Sequence, residues 1–299
     1  MSIELENIVQ KAILEAIETA VTRVPRDVWN ALNNAYQREQ CERAKEVLRT
    51  MIESVRVAAK ERIPLCQDTG LPVFYIEIGE QFPIKRRVLE IVKSCVRKAT
   101  ELGILRPNAV DPVTNRNSGD NTGRYVPITE VSIVDGDRLR VTYIPKGGGS
   151  EYVSRLYMVS PTRGFEELVK RVLEAVVDAG PKPCPPTIVA VGIGGTADIA
   201  EKVSRRLFVE RRVGERHRDS RVGELEVKLL EKINSLGIGP AGLGGSVTAL
   251  DLWIDYGYRH PATFAIAITF SCWALRRASI EVDRYGHIYR DPLDFWEPP

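Results

Sequence analysis

No apolar run in this chain approaches the roughly 20 residues a membrane span needs, and its first stretch, MSIELENIVQKAILEAIETA, reads as an acidic amphipathic helix, unlike a secretory leader. A field of one charge sign is also missing. Charged residues make up 27% of the chain, are interspersed, and leave a net charge of +2, so nothing points to nucleic acid. There is no C-x-x-C and there are only three histidines, His217, His260 and His287, which argues against a structural zinc site. GIGGTAD lacks the dinucleotide-binding spacing and no Walker lysine occurs. The five cysteines are odd in number, widely spaced and set in a chain too large to need covalent staples, so disulfides are not expected. These absences leave a cytoplasmic protein with a small-molecule partner, no nucleic acid and no membrane.

At 299 residues the chain can bury a sizeable core. Residues 3–62 read as successive helices broken at Pro25, and residues 72–78 alternate like a short strand. An amphipathic helix follows over 83–102. The next stretch, RPNAVDPVTNRNSGDNTGR, is longer than most connections in a compact domain, which favours a functional loop. VPITEVSIV and RLRVTYIP read as strands joined in a hairpin by Asp135-Gly136-Asp137. Helices are expected over 164–179, from Thr196, and over 222–236, with strands at TIVAVGIGG, 247–256 and 262–271 and a hairpin over 279–290. With no internal repeat or low-complexity linker, the expectation is one α+β domain over 1–299. A helical N-terminal layer, 1–60, would pack on a mixed-sheet core, 61–290.

Cys41 and Cys95 lie in helical segments and are assigned to the core. Cys66, Cys184 and Cys272 instead sit beside loop-forming residues, in PLCQDTG, PKPCPPT and TFSCWAL. In Cys66-Gln67-Asp68-Thr69-Gly70 a soft metal ligand stands two positions from a carboxylate that can exchange a proton. The same residues read equally well as a turn bracketed by Pro64 and Pro72. Three isolated thiolates suit an iron–sulfur cluster whose fourth iron has no protein thiolate, and suit equally three small core residues that never meet. Glycine turns at 147–149, 192–195 and 242–245 permit close backbone approach, or are simply tight turns.

PLCQDTGLPVF, LRPN, NSGDNTG, PKGGGSE, PCPPTIVAVGIGGTAD, GPAGLGGSVTALD and RHPATFAIAITFSCWALRR together resemble the α-type subunit of class I, iron–sulfur-dependent fumarate hydratases and L(+)-tartrate dehydratases, in order over about residues 60–280. The resemblance implies a hydro-lyase carrying a [4Fe–4S] cluster with one open iron, held by Cys66, Cys184 and Cys272. It assigns catalysis to Asp68 and His260, and substrate binding to Gln67, Arg106, Gly147 and Gly148, with Lys146 nearby. Single-chain members carry a further C-terminal domain that is not found here. A separate β-type subunit is therefore expected, in an α2β2 assembly acting on a small dicarboxylate, and the Phe295-Trp296 tail is a candidate interface element. Fumarate hydration is the leading activity, tartrate dehydration the alternative, and an iron–sulfur redox or sensor protein the remote one.

Overall fold

The computed structural model describes residues 2–290 and 295–297. The α+β class expected from the sequence is the one observed, with helices on two mixed sheets, one in each of two compact units. One comprises Met1–Arg26, Ser54–Gly147 and Arg276–Pro299, the other Asp27–Glu53 and Gly148–Leu275. The expected helical layer is therefore shared. Helix α1 (Ser2–Thr22) belongs to the first unit and α2 (Arg26–Arg38) to the second, while α3 (Glu42–Glu61) carries the chain back into the first.

In the first unit five strands run in the order β2-β1-β3-β8-β9. They are β1 (Leu71–Gly79), β2 (Ile128–Val134), β3 (Arg138–Lys146), β8 (Ala278–Asp283) and β9 (Ile288–Arg290). Helix α1 and helix α4 (Val88–Glu101) cover one face. The apolar stripe Val9, Ile13, Ile17 of α1 meets Phe74 and Ile76 of β1 and Val141 of β3 in one buried cluster, the expected outcome when a period of 3.6 packs on a period of 2.

The expected hairpin is not formed. β1 lies between β2 and β3, parallel to the former and antiparallel to the latter. The Asp135-Gly136-Asp137 turn instead crosses the end of β1, where Gln81 N–H donates to the Gly136 carbonyl at 2.9 Å. A Cβ on Gly79 would stand 2.5 Å from that carbonyl oxygen, so the crossing needs glycine there. Phe295 packs against this unit's core and bridges Pro25, so that tail aromatic is used internally. The rest of the tail, 291–294 and 298–299, lies outside the described residues.

The second unit carries the sheet β4-β7-β5-β6, made of β4 (Arg155–Val159), β5 (Thr187–Ile193), β6 (Ala249–Tyr256) and β7 (Phe264–Ser271). Val189, Val191, Ile266, Ile268 and Phe270 pack with α6 (Gly164–Ala179) and α8 (Ser220–Ser235). On the other face Ala265 and Ala267 meet Ala200 of α7 (Ala197–Glu210). Burial on both faces explains the unbroken apolar run of β5. A short helix, α5 (Gly148–Tyr152), and strand β4 were not visible in the sequence pattern. Both are five residues long, too short to display a period.

Candidate functional site

The Cys66–Gly70 loop enters β1 of the first unit held chiefly by side chains. Asp68 Oδ1 accepts the Gly70 N–H at 2.8 Å and the Asn108 Nδ2 at 3.3 Å. Thr69, 2% exposed, accepts the Arg106 N–H on its hydroxyl at 3.0 Å. Behind the loop, Arg276 Nη2 donates to the Asp68 carbonyl at 3.0 Å. Gly70 has φ +73°, and a Cβ there would lie 2.7 Å from the Lys146 nitrogen. The glycine thus lets the loop close on the Pro145-Lys146-Gly147 turn.

The loop starting at Arg106 is fixed by one fully buried side chain. Asn121 Oδ1 accepts the N–H groups of Asn108 (2.6 Å) and Ala109 (3.2 Å), while its Nδ2 donates to the Arg106 carbonyl (2.8 Å) and the Thr100 hydroxyl (3.1 Å). The turn-rich stretch expected to be functional therefore delivers Arg106 and Asn108 to the Asp68 loop. Gln67 and Arg106 are exposed, Asp68 and Cys66 half-buried. Asn108, Asn121 and Arg276 were assigned no role from sequence, although all three lie within the quoted motifs LRPN, NSGDNTG and CWALRR. Nothing in a single sequence links positions 40 or more residues apart.

Cys184 and Cys272 lie at the same end of the second unit's sheet. Ile188 of β5 pairs with Ser271 of β7, so the residues just before β5 and just after β7 share one end of the sheet. There the Trp273 N–H donates to the Cys184 carbonyl at 3.1 Å. Cys184 has φ +53° and its loop is buttressed by two of the glycine turns. A Cβ on Gly149 would meet the Lys182 carbonyl at 2.5 Å, and one on Gly242 the Pro181 Cβ at 2.5 Å. Glu39, 1% exposed, pins the last of these turns by accepting from the Ser246 N–H (2.7 Å) and hydroxyl (3.0 Å). Burial works to raise its pKa, yet the hydrogen bonds from Cys41, Ser246 and Gln40 leave it lowered.

One sequence assignment changes, that of Cys41 to the core. Cys41 is exposed, at the break between α2 and α3 where its N–H donates to Glu39. Glu39 caps a turn inside what reads as one continuous helical stretch. His260 stands at the far end of the second sheet from Cys272. The eight residues of β7 lie between them, about 24 Å of strand. Its Nδ1 accepts the Ala262 N–H at 3.1 Å, a turn role. The 192–195 glycine turn is at this end too, where Gly194 and Gly195 donate to Ala265 and Tyr258. A cleft of about 830 Å³ opens here, lined by Phe165, Leu225, Tyr256 and Phe264 with Asp219 and Arg221. Hydrogen bonds from Arg221 hold the Asp219 carboxyl down at about 2.

The cysteine chemistry separates cleanly. Cys95 is sealed in the first core, where burial pushes its thiol up to about 12. Cys66, Cys184 and Cys272 lie on loops outside any disulfide, the first and last half-buried and Cys184 exposed. Each carries a soft thiolate donor of the kind an iron–sulfur cluster takes. Cys66 belongs to the first unit and the others to the second. Among the described residues no set of three or more His, Cys, Asp or Glu side chains is gathered to hold a single metal ion, and no helix is long and apolar enough to cross a membrane.

Comparison with known proteins points one way. The profile of the family described as "Fumarate hydratase (Fumerase)" matches residues 10–281. A Methanocaldococcus jannaschii protein, provisionally named L(+)-tartrate dehydratase subunit alpha, is 43% identical over 274 residues, covering 90% of this chain and 96% of that one. The L(+)-tartrate dehydratase subunit alpha of Escherichia coli K12 is 36% identical over 262 residues, covering 87% and 86%.

Proposed function

Because this chain belongs to the fumarate hydratase (Fumerase) family, we propose that it is the α subunit of an iron–sulfur hydro-lyase that interconverts fumarate and L-malate in the cytoplasm, together with a separate β subunit. The family match over residues 10–281, which includes every assigned site residue, carries this reading. The names of the relatives as alpha subunits support the partner.

Cys66, Cys184 and Cys272 are the three thiolates that would hold a [4Fe–4S] cluster, which when bound supplies a Lewis-acidic iron for the hydroxyl-bearing end of the substrate. Asp68, held at Oδ1 by Gly70 and Asn108, moves the proton on the hydroxyl side. Arg106 pairs with a substrate carboxylate, for which a planar guanidinium is suited. Gln67 contacts substrate beside it, and Gly147 and Gly148 permit close approach of the backbone. The proton on the neighbouring carbon is left to a group of the β subunit. His260, whose Nδ1 accepts the Ala262 N–H in a turn, is kept in this proposal as the second catalytic residue.

L(+)-tartrate dehydration is the second reading, favoured by the names of the relatives. Anaerobic assay of the reconstituted αβ pair on fumarate, malate and tartrate separates the two. Turnover of fumarate and malate is the expected result, exclusive turnover of tartrate selects the second reading, and no turnover of any of them by iron-loaded protein rejects both. Asp68→Asn is expected to keep the iron and lose at least about 100-fold in turnover.

A further inference from the structure

Arg276 follows Cys272 by four residues and is only 4% exposed. Its Nη2 donates to the Asp68 carbonyl at 3.0 Å, while Nε and Nη1 are sealed from solvent and find no acceptor among the described residues. A guanidinium stays charged at any relevant pH, and burying one without a full set of acceptors is unfavourable. A buried Leu or Met would serve packing alone better. The Tyr143 hydroxyl is also buried with no hydrogen-bond partner among the described residues. Burial raises the Tyr143 pKa and the charge of Arg276 opposes that rise, which places the two groups within electrostatic reach.

The bond goes to the main chain of Asp68, and that choice matters. The Asp68 carboxylate is already held by Gly70 and Asn108, and the next residue, Thr69, by Arg106. The bond from Arg276 adds an anchor at a different point, the carbonyl of Asp68 itself.

We propose that Arg276 is a positioning residue for the proton-transfer loop: its buried guanidinium grips the Asp68 carbonyl and fixes the peptide plane from which the carboxylate is presented. The cost of a partly unpartnered buried charge is retained because a rigid, short-range donor is needed under that carbonyl. The inference rests on the reading of Asp68 as the proton-transfer group. Arg276 acts through Asp68 and does not itself touch substrate.

The test uses the full chain with its partner subunit, prepared anaerobically, as Arg276→Met and Arg276→Lys. Displacing a reacting group by about 1 Å costs on the order of 100-fold, so Arg276→Met should lower kcat by about that factor with KM for malate changed less than about threefold and iron content unchanged. Amide hydrogen exchange over residues 66–71 should be at least about tenfold faster. Arg276→Lys, which restores one charged donor, should recover at least about tenfold of the lost kcat and slow the exchange again. Wild-type kcat with wild-type exchange in Arg276→Met overturns the proposal, as does a rise in KM that accounts for the whole loss. If the Met variant fails to fold, the Lys variant decides: folded with kcat within about tenfold of wild type supports the proposal, and folded with kcat down by the full factor overturns it. Asp68→Asn with full turnover would reject the reading of Asp68 itself. An inactive Asp68→Asn beside a fully active Arg276→Met rejects only the role of Arg276.

Discussion

Replacing Asn121 by alanine should unlatch the loop that presents Arg106 and Asn108. The asparagine side chain is fully buried and makes four hydrogen bonds, three of them to main-chain groups of residues 106, 108 and 109. Truncation leaves the buried N–H of Ala109 and the N–H of Asn108 without their shared acceptor, and each such group costs about 1–3 kcal/mol. Asn121 also has φ +57°, a backbone region that asparagine tolerates and alanine enters at a cost of roughly 1 kcal/mol. Together these give a loss of about 3–7 kcal/mol, large beside the 5–15 kcal/mol typical of whole domains. Urea denaturation followed by circular dichroism measures it, read as a midpoint shift at constant slope. Asn121→Gly removes the same hydrogen bonds without the backbone strain, so it should be about 1 kcal/mol milder than alanine. A loss below about 1 kcal/mol for Asn121→Ala would refute the latch.

Gly70→Ala would place a methyl 2.7 Å from the main chain of Pro145 and Lys146 at φ +73°. A stability loss of about 2–4 kcal/mol is expected by the same titration. Cys184→Ser should lower the iron content of anaerobically prepared protein while Cys95→Ala leaves it unchanged, as measured by iron and sulfide analysis. Asp283 predicts an acid effect. Burial acts to raise its pKa, but the His287 ring, the N–H groups of His287 and Tyr285 and the Tyr289 hydroxyl hold it at about 2, against an ordinary 3.8. A depressed carboxyl contributes stability that is fully present above its unfolded value and is lost as pH falls through the folded one. Between pH 4 and pH 2 the wild type should therefore lose urea resistance more steeply than Asp283→Asn.

What could be read in advance was what is local. Helices α6 and α8 and strands β1, β5 and β7 announce themselves because burial of one or both faces imposes a period within the segment. The β2–β3 hairpin failed because turn residues report only that the chain reverses, and not which strand fills the gap. The deciding contact, Gly79 under the Gly136 carbonyl, lies 57 residues away in sequence. The division into two units was hidden for a similar reason, since α3 is one unbroken helix that passes from one unit to the other. The Cys66 loop was legible through its residue types. Its supports were not, because Asn108 and Arg276 reach Asp68 across 40 and 208 positions. Spacing alone is also silent on separation: His260 and Cys272 are twelve residues apart, and because Phe264–Ser271 between them is an extended strand, they stand at opposite ends of a sheet.

Cys66, Cys184 and Cys272 are proposed to hold a cluster whose iron meets a dicarboxylate beside Asp68. The most direct measurement is the Mössbauer spectrum of the anaerobically prepared αβ pair, recorded without and with malate. A [4Fe–4S] signal in which one iron site changes on adding malate is the predicted result. Iron whose spectrum is indifferent to malate, fumarate and tartrate, or protein that binds neither iron nor sulfide, would contradict it.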